Sequence, residues 1–247
     1  MTKIVILAAG RGARMNSDLP KVLVPLKGRP MIKYLMDEVG RSGIDPRPVI
    51  IVSNSNKDAI STALDAYEAE YVVQDEPLGT GHAVSCAREA IDRCGDGVKN
   101  IVVLYGDHPF LKSESIKSFA SIDSDALTIM PTLLPDFDDW RHNFYHWGRI
   151  IKSTNGKVEK IVEFKDANDR EKEVTEVNPG FMCFDKNWLF ENINKLSDNN
   201  NSKEYYLTDM VKIAFDSGLT VGTVNIDPHE AMGINSPEEL QIAESLL

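Results

Sequence analysis

The order of apolar segments along this 247-residue chain predicts an α/β protein with a Rossmann-like, mixed but mostly parallel sheet flanked by helices. Three observations carry that class. Residues 3–8 form a continuous apolar, β-rich run that breaks at Gly10 and Gly12, as a strand buried on both faces does. Further short apolar runs then alternate with segments of helical period. The longest apolar run covers only residues 4–9, far short of the roughly 20 residues of a membrane span.

After the first strand comes a polar loop to about Lys21, then a helix over 31–42. Its apolar positions Met31, Ile32, Leu35, Met36 and Val39 share one face, and Gly43 supplies the stop. A strand over 49–52, a helix over 58–64, a strand over 71–73, a helix over 82–92 and a strand over 101–105 follow. Beyond Asp107 the rhythm changes. Strands over 148–153, 158–164 and 177–184 have little helix between them, which predicts a mixed or antiparallel extension. Helices are expected over 188–196 and 204–215, with a strand over 220–225 between the second of these and the last helix. That helix starts with Ser236 as N-cap, Pro237 in the first turn and Glu239 as the reciprocal partner. There is no internal repeat, and residues 198–202 read as a polar loop, so one domain is expected over 1–247.

Hydrophobic residues at 42% and charged residues at 26% exclude wholesale disorder. The net charge of −11 disfavours general attraction to nucleic acid or an anionic membrane. Yet Lys3, Arg11, Arg14, Lys21, Lys27, Arg29 and Lys33 face the single anion Asp18 over residues 1–36. An acidic protein with its cations gathered around one glycine-containing loop suits a small polyanion. Cys86, Cys94 and Cys183 are odd in number and form no CxxC pair, which fits a reducing, cytoplasmic compartment.

The candidate chemistry lies in the loops. Gly10 and Gly12 leave the end of the first strand, where open α/β sheets place their ligands and where glycine lets backbone amides approach phosphate. Met15 stands where a dinucleotide-binding loop would carry its third glycine. Arg14 and Lys21 follow instead, cations suited to a triphosphate. Asp107 ends a buried strand and is the leading ligand for magnesium, which favours one or two carboxylates with phosphates and water; the alternative is a cap on the next turn. Asn235 offers an amide oxygen to the same ion or serves a turn. Gln74 has the donor and acceptor a uracil edge requires, and Gly79 and Thr80 present backbone groups beside it; the alternative is a glycine-rich turn before a helix. His142 and His146 have a helical zinc spacing but lack the glutamate of HExxH.

Together the motifs resemble the uridylyltransferase domain of the bacterial bifunctional N-acetylglucosamine-1-phosphate uridyltransferases, within the GT-A-like sugar nucleotidyltransferases. The matches are LAAGRGARM with Pro20 to Leu23, PLGTGHA at 77–83, YGD at 105–107, Gly148 to Ile150, VEFKDA at 162–167, Asn178, EYYLTD at 204–209, and Asn235. The resemblance implies a GT-A-like fold, with a nucleotide-binding part over about 1–115 and a sugar-binding part over about 116–247. It implies Mg²⁺-dependent transfer of UMP from UTP to a sugar 1-phosphate, N-acetylglucosamine 1-phosphate first among them. Leu7, Ala8, Ala9, Gly10, Gln74, Gly79, Thr80, Tyr105 and Gly106 would line the nucleotide site. Arg14 and Lys21 would activate the phosphates, and Asp107 and Asn235 would hold Mg²⁺. Gly148, Glu163, Asn178 and Thr208 would contact the sugar. The resembling proteins carry a second acetyltransferase domain of hexapeptide repeats; this chain has none, so acetyl transfer is not expected, and without that trimerising domain a monomer or weak dimer is. Pro179, Phe181 and His108 depart from the family's smaller or aliphatic residues and leave the sugar open. Two rivals stand beside this reading: a nucleotidyltransferase using another NTP or acceptor, and a non-catalytic nucleotide-sugar-binding module.

Overall fold

The computed structural model describes residues 1–10, 12–122 and 126–247, so Arg11 of the cationic loop lies outside the described residues. The chain runs β1 (Thr2–Leu7), a short hairpin β2 (Pro25–Leu26) and β3 (Arg29–Pro30), α1 (Met31–Ser42), β4 (Val49–Ser53), α2 (Lys57–Ala63) and β5 (Glu70–Gln74). It continues through α3 (Thr80–Cys86), α4 (Arg88–Asp92), β6 (Asn100–Tyr105), α5 (Ser113–Ala120), β7 (Leu127–Ile129), β8 (Thr132–Leu133) and a 3₁₀ helix at Asp139–Phe144. Next are β9 (Gly148–Lys152), β10 (Val158–Val162), α6 (Asp169–Lys172), β11 (Glu176–Asn178), β12 (Met182–Asp185) and α7 (Lys186–Asn192). The chain closes with α8 (Asp209–Asp216), β13 (Gly222–Thr223), α9 (Pro228–Ala231) and α10 (Pro237–Leu246).

Seven strands form the large sheet in the order β13-β7-β12-β6-β1-β4-β5. β1 pairs in parallel with both β4 and β6, and β4 with β5, whereas β12 enters antiparallel between β6 and β7. Alternation along β1 feeds two cores: Ile4 and Ile6 pack with α1 on one face, and Val5 and Leu7 pack with α3, α4 and α8 on the other. Helices therefore cover both faces, which is why the strands read as unbroken apolar runs. The expected antiparallel extension is a four-stranded sheet, β10-β9-β11-β8. No helix among the described residues is long and apolar enough to cross a membrane.

Four expected elements end differently, the simplest being the strand expected over 220–225, which is only Gly222–Thr223. Residues 177–184 are two strands in different sheets, β11 in the small one and β12 in the large one. Pro179 has no N–H to donate, and Gly180 turns the chain at φ 101°, a conformation open to glycine. The helix expected over 204–215 starts only at Asp209. Upstream of it, Tyr205 spends its backbone on the neighbouring loop, donating N–H to Leu78 O (2.8 Å) and accepting from Gly81 N (2.8 Å). The helix expected over 82–92 divides at Ala87. At the last helix Ser236 Oγ caps Glu239 N at 3.2 Å as expected, but the Glu239 carboxylate accepts from Asn235 N (2.5 Å) instead of closing a reciprocal box.

Candidate active site

Chain order reverses beside β1, with β4 and β5 on one side and β6 on the other, and such a switch point opens a crevice at the C-terminal strand ends. Register brings those ends level: Leu7 lies opposite Tyr105 and Ile51, and Ser53 opposite Gln74. The loops leaving β1, β5 and β6 therefore meet.

Two cavities share this crevice. The first, about 470 Å³, is lined by Leu7, Ala8, Ala9, Gly10, Lys21, Gln74, Gly79, Thr80, Tyr105 and Asp107, together with Val22, Pro77, Ala83 and Glu204. The second, about 380 Å³, gathers Arg14, Gly148, Glu163, Asn178, Thr208 and Asn235. Thr80, Tyr105, Asp107 and Glu204 border both. Each is large enough for a small ligand, and their combined lining draws on residues from 7 to 239. Of the expected site residues, Gly106 lines neither. It sits behind the site, donating its N–H to Leu7 O (3.0 Å), with Val22 and Ile32 packed against its α-carbon.

At the junction the Lys21 ammonium pairs with Asp107 Oδ2 and donates to Asn235 Oδ1 at 2.6 Å. His108 Nδ1 donates to the other Asp107 oxygen at 3.1 Å. Burial alone would raise the Asp107 carboxyl, but the Lys21 charge, then that of His108 and the hydrogen bonds from both, outweigh it and hold the group well below the usual carboxylate range. The neighbouring Tyr105 hydroxyl is pushed up by burial and by the Glu163 and Asp107 charges.

The second cavity has a different electrostatic character. Burial, offset by the Thr208 Oγ1 hydrogen bond at 2.9 Å, raises the Glu163 carboxyl, and the charges of Asp209, Asp166 and Glu204 add to the rise. Asn178 is buried, its Oδ1 accepting from Gly180 N at 3.1 Å. Gly79 shapes the wall between the cavities: at φ 108°, a Cβ there would lie 2.7 Å from Tyr205 O, so only glycine lets the 204–208 segment close against this loop.

Sequence reasoning passed over Asn143 and Trp147, named His146 only for its spacing from His142 and Glu239 only as a capping partner, and held Glu204 and Tyr206 only within EYYLTD; all six line the second cavity. Glu204 was legible as part of EYYLTD, but its segment reads as helix until its backbone partners are known. The helical spacing read for His142 and His146 is not realised, since the 3₁₀ helix ends at Phe144; their ring centres lie 6.5 Å apart, and no group of three or more His, Cys, Asp or Glu side chains suited to a metal occurs among the described residues.

Residues 4–149 match the MobA-like NTP transferase domain. Curated relatives span the whole chain: Bifunctional protein GlmU of Caldicellulosiruptor saccharolyticus is 39% identical over 244 residues, covering 98% of this chain and 51% of the relative. The protein of the same name from Clostridium novyi is 38% identical over 246 residues (98% and 51%), and that from Ruegeria sp. 40% over 249 residues (99% and 52%). The chain thus spans about half the length of the curated relatives it matches.

Proposed function

This chain belongs to the MobA-like NTP transferase family and is a nucleotidyltransferase, and from that premise we propose that it transfers UMP from UTP to a sugar 1-phosphate, N-acetylglucosamine 1-phosphate first among them. The observation that carries the reading is the junction itself. Lys21, Asp107 and Asn235 converge where a glycine-loop cavity meets one lined by Glu163, Asn178 and Thr208. UTP takes the first cavity, with uracil toward Gln74, Gly79 and Thr80, and the acceptor takes the second. A phosphate oxygen of the acceptor attacks the α-phosphorus as the bond to pyrophosphate breaks, so a UDP-sugar and pyrophosphate leave.

The nucleophile is already an anion, so no general base is required. The chain's task is to hold two polyanions together. Lys21 neutralises charge at the triphosphate and Arg14 does so on the acceptor side. Residues for a divalent ion fit: the Asp107 carboxylate and the Asn235 amide present hard oxygens to one point, at which a cation, the Lys21 ammonium, is already held. When bound there, Mg²⁺ supplies neutralisation of phosphate charge. Three free thiols support a cytoplasmic setting for the reaction.

A pyrophosphate-release screen of the four NTPs against a panel of sugar 1-phosphates, with and without Mg²⁺, tests the reading. Release that requires UTP, an amino-sugar 1-phosphate and Mg²⁺ together is expected. Preference for CTP, or for a non-sugar acceptor, would assign the chain to another branch of nucleotidyl transfer. Binding without release would leave only a nucleotide-sugar-binding module.

A further inference from the structure

The segment between β8 and β9 builds one wall of the second cavity from aromatic and polar side chains. Asn143, at the end of the 3₁₀ helix, and His146 and Trp147 just after it all line the cavity, and none of them borders the first. The wall is fixed from behind. Arg149 is fully buried; its guanidinium donates to Trp147 O, to Tyr145 O at 2.7 Å and to Lys172 O at 3.3 Å, and lies 4.8 Å from the Phe137 ring centre. Asn143 Nδ2 donates to Met232 Sδ at 3.6 Å.

The half-buried Trp147 indole meets Phe144 at 4.6 Å and 67°, and His108 at 5.7 Å and 60°. His108 in turn meets Phe181 at 4.9 Å. His108 and Phe181 are therefore one packed unit with Trp147.

A broad indole beside Glu163, Asn178 and Thr208 is the combination a pyranose ring requires: an apolar surface for its C–H face and polar groups for its hydroxyl rim. We infer that Trp147 is a specificity-determining residue, the surface on which the sugar ring of the acceptor rests. This inference rests on the acceptor reading above and deepens it: the cavity selects cyclic sugar phosphates against acyclic phosphate esters, and the wall bears on the acceptor alone.

The test is steady-state kinetics of the full chain and of Trp147→Ala and Trp147→Phe, varying UTP and N-acetylglucosamine 1-phosphate separately, with glycerol 3-phosphate as the acyclic comparison. Trp147→Ala should raise the KM for the sugar phosphate about tenfold, leave the KM for UTP within about twofold, and shrink the preference for the cyclic acceptor. Trp147→Phe should recover most of the loss. An unchanged acceptor KM in Trp147→Ala, or equal rises in both KM values, overturns the inference while the uridylyl-transfer reading stands. A parent chain that turns over UTP with no sugar 1-phosphate overturns both. Should Trp147→Ala fail to fold, titration of sugar 1-phosphate into the Trp140→Phe, Trp188→Phe chain decides: a change in the remaining indole fluorescence supports the contact, and none refutes it.

Discussion

Lys21 is the side chain whose removal should cost most at the reacting centre. Lys21→Ala takes a cation from between Asp107 and Asn235 and should lower kcat about a hundredfold or more, the usual scale for losing one preorganised charge, about 3 kcal/mol. Asp107→Ala should fall as far. Circular dichroism of both variants should match the parent, and near-normal turnover in both would refute the assigned roles. A second residue-scale prediction concerns Asp209, whose carboxyl is pushed up to about 6 by burial first and the Asp166 charge second. A carboxyl that binds its proton more tightly folded than unfolded stabilises the fold below about pH 4. That contribution declines as pH rises to about 6, leaving a penalty at neutrality. Asp209→Asn should therefore melt higher than the parent at pH 7.5, with the gain fading as pH falls through 6 toward 4. Thermal melts at several pH values check this; a difference independent of pH would contradict it.

At the scale of elements, the contacts that close the site are backbone contacts between distant loops. Gly79→Ala places a Cβ against the Tyr205 main chain at a φ of 108°, so the loop and the 204–208 segment must part. A loss of about 2 kcal/mol or more is expected in urea unfolding, together with weaker nucleotide binding. Arg149→Lys should cost about 3 kcal/mol in the same assay, because an ammonium cannot reach three carbonyls in the guanidinium's plane and some stay buried without a donor. These same contacts separate what was legible in sequence from what was not. The helix Met31–Ser42 was readable to its ends, since its apolar face and Gly43 stop are local signals. Residues 177–184 were read as one strand because both halves are apolar, although Pro179 and Gly180 already marked the break. Residues 204–208 run straight into the helical pattern of α8, and only the pairing of Tyr205 with Leu78 and Gly81 shows that they are not part of it. The wall at 143–147 has no periodicity to read; Arg149 and Phe137 set its course through contacts that a linear pattern does not encode.

For the whole molecule, the parallel half of the sheet was predictable from alternating runs, and its switch point beside β1 decides where ligands go. Asp107 was legible because it follows the end of a buried strand, whereas Arg14, Lys21 and Asn235 lie in short turns and loops and were legible only as members of motifs. The second cavity was legible only in part, since it is assembled between two sheets from β9, β11, the loop after β10 and the segments around them. The account's central claim is direct transfer between the two cavities, with no covalent stop on the protein. Exchange of labelled pyrophosphate into UTP tests it most directly. With UDP-N-acetylglucosamine and Mg²⁺ supplied, label should enter UTP, and with UTP alone it should not. Exchange in the absence of any sugar, or none in its presence, would contradict the account.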